Sequence, residues 1–163
     1  MTGHGTRSCI NGNRKQQPMP DILPRKLLVQ LSGFTPLQRI LLSTTGTNQA
    51  TLSAYHGQPV KVNVLTQTSK PDGRIIRVVE MKCSDRVVCS AESILDIKNP
   101  TVRTKIHSRI YGIGQILELS QIRPEFELGS AWKTETHFHR EYTLTAPGVI
   151  YNILEHFPID MYT

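Results

Sequence analysis

The sequence predicts an α+β protein: a largely antiparallel β-sheet, helices covering one face and an enclosed ligand pocket. Three observations carry that reading. Helix starts fall early and in the middle of the chain, and the strand-like stretches alternate in polarity and follow one another across short turns. Two of those stretches also point an ionisable side chain into their apolar face. With 163 residues, 38% of them hydrophobic, one domain with one core is expected. The boundary is drawn between a basic, disordered N-terminal segment, residues 1–26, and a single domain over 27–163.

Met1 to Pro24 is polar and rich in Gly, Asn, Gln and Pro, a composition without a core of its own. Thr35-Pro36 starts a helix, Thr as N-cap and Pro in the first helical position, followed by Leu37, Ile40 and Leu41 at helical spacing. A second helix is expected over Asn48 to His56, capped by Thr47 and stopped by Gly57. Two short helices thus precede any strand. Val60 to Leu65 then alternates as a half-buried strand with Val60, Val62 and Val64 inward, and residues 66–73 carry turn chemistry ending in Pro71-Asp72-Gly73. Arg74 to Cys83 and Val87 to Ile97 form a hairpin about Ser84-Asp85-Arg86.

Asn99-Pro100-Thr101 starts another helix through Val102, Ile106 and Ile110, interrupted by Gly112-Ile113-Gly114. Glycines here either break the helix or let the backbone approach a ligand, with Gln115 to Leu119 opening a helix beside it. Gln121 to Gly129 reads as extended. Residues 134–144 alternate, and Thr145-Ala146-Pro147-Gly148 turns the chain into a last strand, Val149 to Phe157.

Alternation places Arg77 with Ile75, Val79, Met81 and Cys83, and Glu155 with Val149, Tyr151, Ile153 and Phe157. A guanidinium does not lose its proton, so its burial is unfavourable without a matched anion. Three readings follow: a structural Arg77–Glu155 ion pair, an edge strand wet on both faces, or a pocket that grips an anionic ring at one end and a hydroxyl at the other. Arg140 shares a face with Phe138, Tyr142 and Leu144 and is read as supporting that pocket.

Composition narrows the classes. The net charge of +6 is concentrated in residues 1–26, which hold Arg7, Arg14, Lys15, Arg25 and Lys26 against Asp21 alone. That stretch has no aromatic interleaving, so a solvated tail is preferred to nucleic-acid binding. No apolar run suits a signal peptide or a membrane span, and a cytoplasmic location is expected. Cys9, Cys83 and Cys89 are too few for a disulfide framework. His137 and His139 have metal-ligand spacing, but their face also carries Glu135 and Thr143 and reads as wet, so no metal or other cofactor is expected. Gly-x-Ser-x-Gly, phosphate-loop and dinucleotide motifs are absent.

The run RIIRVVEMKCSDRVVCSAESIL, then GIGQIL, then QIRPEFELG, then REYTL and GVIYNILEHF, resembles the chorismate pyruvate-lyases, the 4-hydroxybenzoate synthases. The resemblance spans about Leu37 to Phe157 and is closer to the archaeal, cyanobacterial and mycobacterial branch than to the enterobacterial one. It implies a chorismate lyase-like fold, and an enzyme that eliminates pyruvate from chorismate without a cofactor. By the same resemblance Arg77 holds the ring carboxylate and Glu155 meets the ring hydroxyl. Ile113 and Gly114 fall where backbone N–H groups meet a carboxylate, Thr47 falls near another backbone contact, and Arg123 matches a position suited to the enolpyruvyl carboxylate. The expected partners are chorismate, 4-hydroxybenzoate and pyruvate, with no nucleic acid and no membrane. The alternative is a sensing domain of the same fold that binds a benzoate-like effector without reacting it.

Overall fold

The computed structural model describes residues 24–45 and 48–163. Thr47 and residues 1–23 of the expected basic arm, Cys9 included, lie outside the described residues. Three helices precede the sheet, one more than the sequence suggests: α1 (Arg25–Gln30), α2 (Pro36–Ser43) and α3 (Asn48–His56). The short α1 has no side-chain cap, and of its residues only Leu27 is buried, so it offers no periodic signature to read. The start of α2 is as expected, with Thr35 and Gln38 exchanging side-chain bonds in a capping box. Gly57, at φ +66, terminates α3.

Six strands follow: β1 (Val60–Ser69), β2 (Ile75–Cys83), β3 (Arg86–Ile97), β4 (Glu125–Lys133), β5 (His137–Ala146) and β6 (Val149–Pro158). Helices α4 (Pro100–His107) and α5 (Ile113–Leu119) lie between β3 and β4, and a short 3-10 turn, Ile159–Met161, follows β6. Every strand pairing is antiparallel, in the order β1-β2-β3-β6-β5-β4. The sheet is therefore two three-stranded meanders, β1-β2-β3 and β4-β5-β6, joined through β3 and β6 at its centre.

Turn chemistry sets the register. Pro147-Gly148 links β5 to β6 with Gly148 at φ +72, and a Cβ there would stand 3.2 Å from the backbone nitrogen of Asn99. The Gly148 carbonyl accepts from Lys98 and Asn99, docking this turn on the start of α4, where Asn99 caps Val102. Strand β1 runs four residues further than expected, to Ser69, because a bulge between Val64 and Thr66 restores its pairing with β2. Helix α4 ends at His107 instead of continuing through Ile110. Arg109 takes φ +58 and Ile110 is 70% exposed, so the apolar spacing that includes Ile110 does not mark a helical face.

One sheet face holds the core. Ile75, Leu95, Tyr151, Phe138 and Phe157 pack there with Leu41, Leu42 and Leu52 from α2 and α3, Val102 and Ile106 from α4, and Ile116 and Leu117 from α5. Burying each such side chain contributes about 1.5–3 kcal/mol. On the other face Ile94 and Ile150 are exposed, so the helices are segregated to one side, as expected of an α+β fold. Among the described residues no helix is long and apolar enough to cross a membrane.

Candidate active site

Arg77 and Glu155 both lie on the core face, at 1% and 3% exposure. Register separates them. Arg77 lies opposite Ser93, which lies opposite Ile153 and then Tyr142, whereas Glu155 lies in the row Val79, Ala91, Glu155, Arg140. Two strand spacings across and two residues along put their Cα atoms about 12 Å apart. The carboxylate is directly opposite Arg140 and pairs with it, Arg140 Nε to Glu155 Oε2 at 2.7 Å. The expected alternative of an Arg77–Glu155 ion pair therefore does not form; a cross-strand neighbour takes the carboxylate first.

Glu155 is held by two further donors. Asn48 Nδ2 reaches Oε2 at 2.8 Å and the Tyr142 hydroxyl reaches Oε1 at 3.0 Å. Burial, then the adjacent Glu155, pushes the Tyr142 phenol well above its ordinary range, so it stays protonated and donates. Arg140 is fully buried and sends Nη1 to the carbonyls of Leu42 (3.0 Å) and Thr44 (2.8 Å) at the end of α2. Its guanidinium also lies over the Tyr142 ring, 4.2 Å from the centroid. Burial opposes its charge, but Glu155 and Tyr142 outweigh that and raise its pKa. Arg140 thus stands behind Glu155 and does not line the cavity; it ties the carboxylate to the end of α2.

Arg77 has no such company. Its Nη2 donates to the Tyr111 carbonyl, while Nε and Nη1 have no partner among the described residues. Burial lowers its pKa to about 10, partly offset by the nearby Tyr151 phenol and reinforced by Arg109, so the group remains cationic at neutral pH. The Tyr151 hydroxyl, also buried, lacks a partner too.

Between the two ends lies an internal cavity of about 30 Å³, with room for a water or two. Arg77, Ser93, Asn48, Tyr142 and Glu155 supply its polar wall and Val62, Val79, Met81, Leu144 and Ile153 its apolar wall. Ile113 and Gly114 complete it; they form the first turn of α5, which starts two residues before the expected Gln115. The N–H groups of a first helical turn have no acceptor within the helix. A Cβ on Gly112 would come within 3.2 Å of Val62 Cγ2, so a larger residue there would press on the same wall.

Arg123 is exposed and lines a separate outer groove of about 830 Å³ with Thr44, Thr51, Gln121 and Ile122. Gly114 and Leu144 belong to both spaces, so the groove adjoins the buried cavity at those two residues. Asn48, Tyr142 and the Tyr111 carbonyl were not singled out from sequence. Tyr142 carries a signal, two residues from Arg140 on an inward face; Asn48 looks like any first residue of a helix.

Of the two histidines on the outer face of β5, His137 is half-buried and shares that face with exposed Glu141, whereas His139 is not wet. His139 is 9% exposed, stacks on Trp132 at 5.0 Å and shares a 2.7 Å Nδ1–Nδ1 hydrogen bond with His156. The strand register explains this: it pairs Arg140 with Glu155 on the inner face and His139 with His156 on the outer one. Among the described residues no group of three or more His, Cys, Asp or Glu is placed to hold a metal ion.

No protein family matches this sequence, and no curated protein matches it either. What fold and site define is a class: an α+β protein whose antiparallel sheet carries a buried cavity with a guanidinium bound by one carbonyl at one end and a triply held carboxylate at the other.

Proposed function

We propose that the protein is a chorismate pyruvate-lyase, forming 4-hydroxybenzoate and pyruvate. The observation that carries the reading is Arg77: a buried guanidinium whose Nε and Nη1 have no partner among the described residues, in a cavity that ends, on its far side, at Glu155. A planar fork of donors matches a carboxylate, and a held carboxylate matches a hydroxyl, so a flat acid with a para hydroxyl satisfies both ends. The family resemblance assigns the same two residues the same two roles.

In the elimination the C4 proton of chorismate is lost, its electron pair forms the aromatic ring, and the C3–O bond breaks to release enolpyruvate, which takes up a proton to become pyruvate. Aromatisation drives the step, so the protein's part is to fix the diene, neutralise the carboxylates and exclude water. Arg77 would hold the ring carboxylate, Glu155 would accept from the C4 hydroxyl, and Arg123 in the outer groove would meet the enolpyruvyl carboxylate across Gly114 and Leu144. A ring needs more room than the resting cavity offers. The 111–114 wall is the one that Arg77 itself holds, so an anion that draws the guanidinium off the Tyr111 carbonyl would loosen that wall as it binds.

One observation favours the non-catalytic alternative, an effector-binding domain: three donors already fill acceptor positions of Glu155, leaving it suited to receive a hydroxyl but poorly placed to collect a proton. Incubation with chorismate in EDTA, followed by pyruvate assay and chromatography of the aromatic product, separates the two. Stoichiometric pyruvate and 4-hydroxybenzoate are expected, with kcat/KM down at least about 100-fold in Arg77→Met. Saturable benzoate binding without turnover would assign the effector role.

A further inference from the structure

The acid end of the cavity holds one acceptor more than a ring hydroxyl can serve. Asn48 is 2% exposed and lines the cavity. Its amide nitrogen is committed to Glu155 Oε2 at 2.8 Å, which fixes the other head of the amide as the oxygen. That oxygen, Oδ1, is buried and has no partner among the described residues. Across the carboxylate that Asn48 binds, Glu155 Oε1 accepts the Tyr142 hydroxyl and no other donor among the described residues. A buried acceptor without a donor is costly, and a ligand that fills it is favoured accordingly.

A hydroxyl brings a single hydrogen. Once that hydrogen goes to Glu155, Asn48 Oδ1 faces an oxygen lone pair and needs a water to donate to it. An aromatic amine, neutral near neutral pH, brings two N–H donors and only a weak accepting lone pair. It serves Glu155 Oε1 and Asn48 Oδ1 together and needs no water.

We propose that the pocket takes a second class of ligand, ring carboxylates carrying an amine para to the acid, and that Asn48 is the residue that sets this specificity. The inference rests on the reading of Arg77 as the carboxylate anchor. Its test is calorimetric titration of the full chain with benzoate, 4-hydroxybenzoate and 4-aminobenzoate. The amine should bind at least as tightly as the hydroxy acid and about 10-fold more tightly than benzoate. In Asn48→Ala the ratio of amine to hydroxyl affinity should move about 3- to 10-fold against the amine. If 4-hydroxybenzoate binds and the amine does no better than benzoate, the inference falls and the Arg77 reading stands. An amine advantage that survives unchanged in Asn48→Ala removes Asn48 from its role. Failure of all three acids to bind overturns both readings, and the wild-type comparison decides even if the variant does not fold.

Discussion

Arg77 and Arg140 are the same side chain at the same depth on one sheet face, and they differ in what meets them. Arg140 finds a carboxylate directly across the strand pair, two carbonyls at the end of α2 and an aromatic face, and leaves only Nη2 without a partner among the described residues. Arg77 finds one carbonyl and a cavity wall, with Nε and Nη1 unpartnered among the described residues. Burying a charge is offset by close partners in the first case and left largely uncompensated in the second. Arg140 therefore belongs to the scaffold, and Arg77 to the wall of the cavity.

The sharpest way to break this comparison is stability. Replacing Arg140 by Met leaves Glu155 buried without its cation and should cost about 3–5 kcal/mol in urea unfolding. Arg77→Met removes two unsatisfied donors together with the bond to the Tyr111 carbonyl and should cost less than Arg140→Met, about 1–2 kcal/mol, while lowering kcat/KM at least about 100-fold. Equal losses of stability in the two variants would erase the distinction. Tyr142→Phe takes one of three donors from the carboxylate and is expected to cost about 1.5–3 kcal/mol, the range for hydrogen bonds to charged groups. Removing the outer cation, Arg123→Gln, should raise KM for chorismate roughly 3- to 10-fold with kcat and stability little changed, since the group is exposed and acts across the shared wall. A fall in kcat alone would place Arg123 elsewhere in the reaction.

Acid supplies the mildest test, at the back of the Arg140 pair. Burial, then His156 and His137, depress the His139 pKa below its ordinary 6.5. A histidine with a depressed native pKa contributes stability that is complete above its unfolded value and lost as pH falls through the native one. The melting temperature should thus decline from pH 7 toward pH 5 by more in the wild type than in His139→Gln, with a difference equivalent to about 1 kcal/mol or less. An identical slope in both would remove His139 from the acid response.

Much of the arrangement was legible because it follows from alternation and turn chemistry. The inward placement of Arg77, Glu155 and Arg140 needs only a period of two, and the starts of α2 and α4 are written in Thr35-Pro36 and Asn99-Pro100. What stayed hidden depends on register. Whether Glu155 meets Arg77 or Arg140 is decided by which residues lie opposite across β5 and β6, and a two-residue slip would exchange Ile153 for Glu155 in the row of Arg77. His139 was misread for the same reason: alternation gave its face correctly, but Trp132 and His156 cover that face at this one position. Asn48 joins the site through the packing of α3 against β1 and β2, which no local pattern records.

The central place of β6 has a consequence in time. The two meanders touch through β3 and β6, whose paired residues lie more than fifty positions apart in the chain. Each meander is assembled from neighbouring hairpins, but closing one against the other carries a large loop-closure entropy, a step that slows folding. Arg77 arrives on one meander and Glu155 on the last strand of the other. As the chain leaves the ribosome, the half that carries Arg77 is complete long before the half that carries Glu155, and the cavity between them does not exist until the final seam zips shut.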